Sequence, residues 1–294
     1  MTSAAPADDT PAIAIIPYAE RLPEGLGDLP LDRLEWPLGR PARLAQGTVA
    51  DMAATDHLIT YPKTRLYLAP QGRRRAQLSM MIVEPDAVHA KHLRLCRLFH
   101  RRFFRVLTKN AALLRAIPNG LFLPFGSTFI PDPDRIDQTK TALASLIASA
   151  KRDWEGHRLR HHIVDHIRSN SLPVEVMGRG YRSFADKADG LAPYRYSVVI
   201  ENLREPSYFT EKLIDALLCD TVPIYWGAPD IAEFFDPDGI IPCASADDII
   251  AALSRMSDAD YATRAPAIAE NRRRATIFGD LHGRAARAIL AAAR

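Results

Sequence analysis

Between positions 200 and 213 the chain sets out an acid and an amide (Glu201, Asn202), then a phenol (Tyr208). A hydroxyl, an acid and a cation follow in consecutive positions (Thr210, Glu211, Lys212). An ammonium at the start of a helix can meet a phosphate, and the free N–H groups and dipole at that end favour an anion. A carboxylate beside it is an acceptor suited to a ribose diol. Together these groups describe a nucleotide-diphosphate site. A Glu-Lys pair in a first helical turn is also a common solvated face, so the pair alone does not decide the matter.

The flanking sequence must position these groups. Residues 196–200 form a short apolar run with β-branched members, which suits a buried parallel strand. Residues 203–209 carry two charges and a Pro and read as a loop. Thr210 reads as the N-cap of a helix over 211–218. Residues 222–226 form a second apolar strand, ended by Gly227-Ala228-Pro229. The unit is strand, polar loop, helix, strand, and ligands of open α/β sheets sit beyond the carboxyl ends of the strands.

This stretch resembles the donor-binding segment of the α-1,3-fucosyltransferases, glycosyltransferase family 10. Those enzymes carry Phe-Glu-Asn, then Tyr-x-Thr-Glu-Lys opening a helix, then Val-Pro-x-Tyr-Trp-Gly. Here the matching residues are Ile200-Glu201-Asn202, Tyr208-Phe209-Thr210-Glu211-Lys212 and Val222-Pro223-Ile224-Tyr225-Trp226-Gly227. The likeness covers residues 174–242, with Ile200 in place of the usual aromatic.

The resemblance implies an α/β protein of GT-B architecture, two Rossmann-like domains facing a central cleft. Alternating strands and helices divide near residue 135. Residues 1–135 are expected to form the acceptor-binding domain and 136–294 the donor-binding domain, the last helix crossing back onto the first. The implied reaction is inverting transfer of a sugar, L-fucose from GDP-fucose, to a glycan hydroxyl, such as that of a bacterial surface polysaccharide or lipopolysaccharide. No metal or further cofactor is required. The family places an Arg on the first helix of the donor domain against the diphosphate. Arg160 fits that spacing through Ile163 and Ile167, with Arg158 the second choice. Glu84 follows an apolar strand over 78–83, where an α/β domain places working groups. The family uses a Glu after a comparable strand as the catalytic base; a helix cap is the simpler reading from position. Glu201, Asn202, Tyr208, Thr210, Glu211 and Lys212 would complete the donor site. Another nucleotide sugar, or a non-catalytic nucleotide-sugar or glycan binder, remains open.

Composition sets the bounds. With 47% hydrophobic and 25% charged residues the chain is globular, and a net charge of +3 demands no nucleic acid. Cys96, Cys219 and Cys243 are widely spaced and form no metal-type pair. A reducing, cytoplasmic setting is expected, since the acidic N-terminus does not read as a signal peptide and no apolar run is of spanning length. The basic run over 89–105 reads as a solvated helical face, or as a surface meeting anionic lipid at the inner membrane. His157, His161 and His162 read as surface histidines rather than metal ligands. Residues 1–10 are expected to be disordered, 47–54 to form a short helix, 65–69 an edge strand and 258–277 one helix.

Overall fold

The computed structural model describes residues 10–70 and 72–293. All but Thr10 of the segment expected to be disordered lies outside them. The chain divides into two compact units, residues 1–124 with 281–294, and residues 125–280.

The first unit contains β1 (Ile13–Ile15), β2 (His57–Thr60), α1 (Thr64–Leu68), β3 (Gln77–Ile82), α2 (Asp86–Phe99), β4 (Val106–Thr108), α3 (Ala111–Ala116) and β5 (Gly120–Phe122). Its five strands pair in parallel in sequence order, β1-β2-β3-β4-β5. The 65–69 segment, read as an edge strand, is the helix α1. Five residues are too few for the pattern to separate the two periods, and burial of Leu66 and Tyr67 settles it. The helix expected over 47–54 is a 3₁₀ turn, Val49–Asp51, closed by a capping box between Thr48 and Asp51.

The second unit contains β6 (Ala142–Ile147), α4 (Glu155–Ser169), β7 (Val174–Met177), β8 (Tyr194–Ile200), α5 (Glu211–Leu218), β9 (Val222–Trp226), β10 (Ile241–Pro242), α6 (Ala246–Leu253), α7 (Asp258–Thr263) and α8 (Ala265–Gly279). The last helix, α9 (Leu281–Ala292), belongs to the first unit. The helix expected over 258–277 breaks at Arg264, which caps α8 ahead of Pro266. The division falls at Pro124–Phe125, earlier than residue 135. Residues 126–130 are tied into the second unit: the Gly126 N–H donates to Phe209 O at 3.0 Å, and the Thr128 hydroxyl donates to Asp215 Oδ1 at 2.6 Å.

The second sheet has the order β10-β9-β8-β6-β7, all parallel. The chain runs outward from β6 in one direction to β7, then returns to start β8 on the other side. Such a reversal opens a crevice at the carboxyl ends of the two strands flanking it, here β6 and β8. Alternation along the strands sorts the core. Tyr196, Val198 and Ile200 join Val222, Ile224 and Trp226 in the layer with Ile163 and Val164 of α4. Val199 and Tyr225 face the other way, with Leu213 and Ile214 of α5. Pro223 is tolerated in this inner strand because β10 starts opposite Ile224, leaving position 223 paired on one side only. At the amino end, the Lys140 ammonium donates to Ala192 O (2.9 Å), Cys219 O (2.6 Å) and Thr221 Oγ1 (3.1 Å).

Candidate active site

The polar groups of the central stretch gather at the carboxyl end of β8. Alternation continues one step past Ile200 and turns Glu201 under the start of α5. Its carboxylate accepts the Thr210 N–H at 2.7 Å and the Thr210 hydroxyl at 2.8 Å. Thr210 in turn caps α5, its Oγ1 accepting from the Lys212 N–H at 3.3 Å. Glu201 is fully buried. Its carboxylate, which the sequence places among the donor-site groups, holds the helix cap in place. Burial pushes its carboxyl pKa up, against the pull of Lys212.

Two close approaches explain local sequence. A Cβ at Gly156, in the first turn of α4, would lie 1.7 Å from Glu201 O. The Gly156 N–H donates to Asn202 O at 3.0 Å, so α4 abuts the end of β8 directly. A Cβ at Gly227 would lie 2.7 Å from Glu201 Cγ and 2.2 Å from the Tyr225 hydroxyl. That hydroxyl accepts the Ala228 N–H at 3.0 Å. Gly227 thus leaves the space that Glu201 and Tyr225 fill.

Arg160 reaches the same place from the opposite face of the sheet. Its Nε and Nη2 donate to Ile200 O at 3.0 and 2.7 Å, and Nη2 also donates to Asn202 Oδ1 at 2.9 Å. Burial lowers its pKa, opposed by Glu201, Glu211 and Tyr208; a guanidinium keeps its charge regardless. Lys212 Nζ lies 2.9 Å from Glu211 Oε1, 3.1 Å from Thr210 Oγ1 and 3.7 Å from Glu201 Oε2. Desolvation opposes its charge, but the two carboxylates win and raise its pKa. Glu211 is desolvated too, and Lys212 holds its pKa low nonetheless. Both carry charge at neutral pH.

Exposure sorts these residues. Thr210 and Tyr208 are buried. Asn202, Glu211 and Lys212 remain partly open. Arg158 is exposed and turns away, its Nη1 donating to Asp153 O at 3.0 Å. Glu84 lies in the first unit, two residues beyond β3, and is half-buried. The histidines expected at the surface are not alike. His157 and His161 are buried, and His161 Nδ1 pairs with the Tyr181 hydroxyl at 2.8 Å, whereas His162 is exposed. Among the described residues no group of three or more His, Cys, Asp or Glu is placed to hold a metal ion.

Two residues of this cluster escaped the sequence reading. Lys187, in the 3₁₀ turn Lys187–Gly190, lines one small cavity together with Lys212, Ser197 and Val199. Burial lowers its pKa against the pull of Asp215 and Glu211. Asp215 lies inside α5, where its Oδ1 accepts from the Thr128 hydroxyl and the Phe129 N–H at 2.6 and 3.0 Å. Burial raises its pKa to about 6. An Asp in the midst of the apolar run of α5 was the available signal; Lys187 stands among ordinary loop residues and gave none.

The family model described as glycosyltransferase family 10 (fucosyltransferase) C-term matches residues 138–260, which include Arg160 and all of the cluster on β8 and α5. The segment that carries the candidate site is thus similar to the C-terminal domain of the glycosyltransferase family 10 fucosyltransferases. Among curated family relatives, the alpha-(1,3)-fucosyltransferase FucT of Helicobacter pylori is 31% identical over 113 residues, 37% of this chain and 22% of that protein. The human 3-galactosyl-N-acetylglucosaminide 4-alpha-L-fucosyltransferase FUT3 is 26% identical over 203 residues, 65% of this chain and 52% of that protein. The chain therefore spans between about a fifth and a half of the length of these relatives. Solved structures support the architecture. A crystal structure of an alpha1,3-fucosyltransferase aligns with TM-score 0.50 at 20% identity, covering 73% of this chain and 70% of that one. The Anabaena Alr3699/HepE structure with UDP and glucose aligns with TM-score 0.56 at 12% identity, covering 82% and 78%. With its two parallel five-stranded sheets, the chain has the GT-B fold.

Proposed function

We propose that this chain is an inverting glycosyltransferase that moves L-fucose from GDP-fucose onto a glycan hydroxyl, such as that of a bacterial surface polysaccharide or lipopolysaccharide. The observation that carries this reading is the partly open trio Asn202, Glu211 and Lys212 at the strand-order reversal, inside the segment that matches family 10. The names of the curated relatives, both fucosyltransferases, support the choice of sugar. The three buried free cysteines fit a reducing, cytoplasmic setting.

In this reading the Lys212 ammonium exchanges its Glu211 partner for the donor diphosphate, and Glu211 turns to the ribose hydroxyls. Arg160 adds a second fixed cation, so the reaction requires no metal. Asn202, held by Arg160, and Tyr208 position the sugar diphosphate. The acceptor oxygen bonds to the anomeric carbon as the bond from that carbon to the diphosphate oxygen breaks, its electron pair leaving with GDP. Glu84 takes the acceptor proton. A single displacement inverts the anomeric centre. Stabilising charge that develops on a leaving group is commonly the largest electrostatic contribution to such a step.

The test is incubation with a panel of nucleotide sugars, with and without glycan acceptors, reading nucleoside diphosphate release and product mass. GDP-fucose consumption with a fucose mass increment on the acceptor is expected. Consumption of a different nucleotide sugar alone, or donor binding with no turnover, would replace this reading.

A further inference from the structure

The first unit carries a surface that the donor chemistry does not use. Helix α2 and the turn after it present Lys91, Arg94, Arg97 and Arg101 to solvent. None of these four cations makes a hydrogen bond or ion pair with another described residue. The only carboxylate between positions 86 and 102 is Asp86, at the start of the helix, and it is paired with Lys109 at 3.1 Å. Leu98, with 74% of its surface open, lies among these cations. At about 100° per residue, Lys91, Leu98 and Arg94 fall within about 60° of one another, Leu98 between the other two. Val88, 45% exposed, lies further round the open side. Arg102 donates to the carbonyls of Leu66 and Ala69 at 3.3 and 2.5 Å, tying to the end of α2 the helix that exposes Leu68 at 59%.

We infer that this face of the first unit is a docking surface for an anionic lipid bilayer. Four unpaired cations around exposed aliphatic side chains match a surface that is negative at the headgroups and apolar just beneath. Long basic side chains can reach headgroup phosphates while Leu98 enters the acyl boundary. A nucleic acid would be met by the same cations, but it offers nothing for Leu98, Val88 and Leu68, and Phe99, the phenyl ring of α2, packs against the core of the first unit rather than standing open for a base to stack on. The charge and the aliphatic centre together therefore favour lipid. The surface is independent of the donor site, so the inference stands or falls apart from the proposed reaction.

Co-sedimentation of the whole chain with vesicles tests it. Binding is expected to vesicles of mixed phosphatidylglycerol and phosphatidylcholine, not to phosphatidylcholine alone, and should weaken as salt is raised. The triple variant Lys91→Ser, Arg94→Ser, Arg101→Ser should partition about a hundredfold less, from roughly a fivefold loss per cation removed. Leu98→Asn should weaken binding several-fold and leave the salt dependence unchanged. Absence of binding to anionic vesicles, equal binding to phosphatidylcholine, or a triple variant that partitions normally would overturn the inference. So would single-stranded RNA binding as tightly at the same salt. A thermal melt checks that the variants fold; if one does not, the lipid and salt dependence of the unaltered chain decides.

Discussion

The carboxylate of Glu201 accepts both the N–H and the hydroxyl of Thr210, at 2.7 and 2.8 Å, and so fastens the end of β8 to the start of α5. Removing it leaves two buried donors unmatched and takes a negative charge from beside Lys212. Breaking a buried charged hydrogen-bond set costs about 3 kcal/mol. Glu201→Ala is therefore expected to lower the unfolding free energy by about that amount, read by urea titration.

Lys212 is the partly exposed cation at the helix start. Lys212→Ala should cost donor affinity and turnover together, with kcat/KM down on the order of 10²–10³. Lys212→Arg should recover part of the affinity, since charge survives while reach changes. Calorimetric titration with GDP and steady-state kinetics separate the two effects. Normal activity in Lys212→Ala would show that the donor lies elsewhere.

Gly156 tests the packing beneath the site. An added methyl would overlap Glu201 O at 1.7 Å, so Gly156→Ala must shift α4 and carry Arg160 with it. A loss of about 3 kcal/mol is expected, within the range for overpacked interiors. A melting temperature within a degree of the unaltered chain would contradict this geometry.

Asp215 gives a pH signature. Its folded-state pKa, raised to about 6 by burial, exceeds the value of 3.8 in the absence of burial. The protonated form is favoured in the fold, so its contribution to stability is complete below the unfolded pKa and is lost as pH rises through about 6. Asp215→Asn, which keeps an acceptor for Thr128 and Phe129, removes this titration. The stability of the unaltered chain relative to Asp215→Asn should fall by on the order of 2 kcal/mol between pH 4 and pH 8. Urea unfolding at both pH values measures it; a constant difference would deny the shift.

Much of the second unit could be read from its residues because the signals there are local. Thr210 caps α5 as its type predicts, and the apolar runs at β8 and β9 are buried strands. The cluster of Arg160 with Asn202 was also legible, though only through family likeness, since 42 positions separate them. Other features depend on tertiary packing. Glu201 and Glu211 are both acids beside the same lysine, yet one is sealed under the helix and the other partly open, a difference set by the direction of one strand residue. The histidines of α4 fail for the same reason: His157 and His161 sit on its buried side, and helix period alone does not say how far the sheet covers that side. Lys187 could not be found because its neighbours come from β8 and α5, remote in the chain.

Lys140 binds together three crossings of the backbone at the amino edge of the second sheet. That edge is thereby clamped, and the strands cannot slide past each other there without breaking all three bonds. Whatever adjustment a sugar nucleotide demands must then come from the opposite rim, in the 203–207 loop and the side chains of Glu211 and Lys212. The domain is built like a fan pinned at its rivet, stiff at the clamped edge and yielding at the rim where the donor would enter.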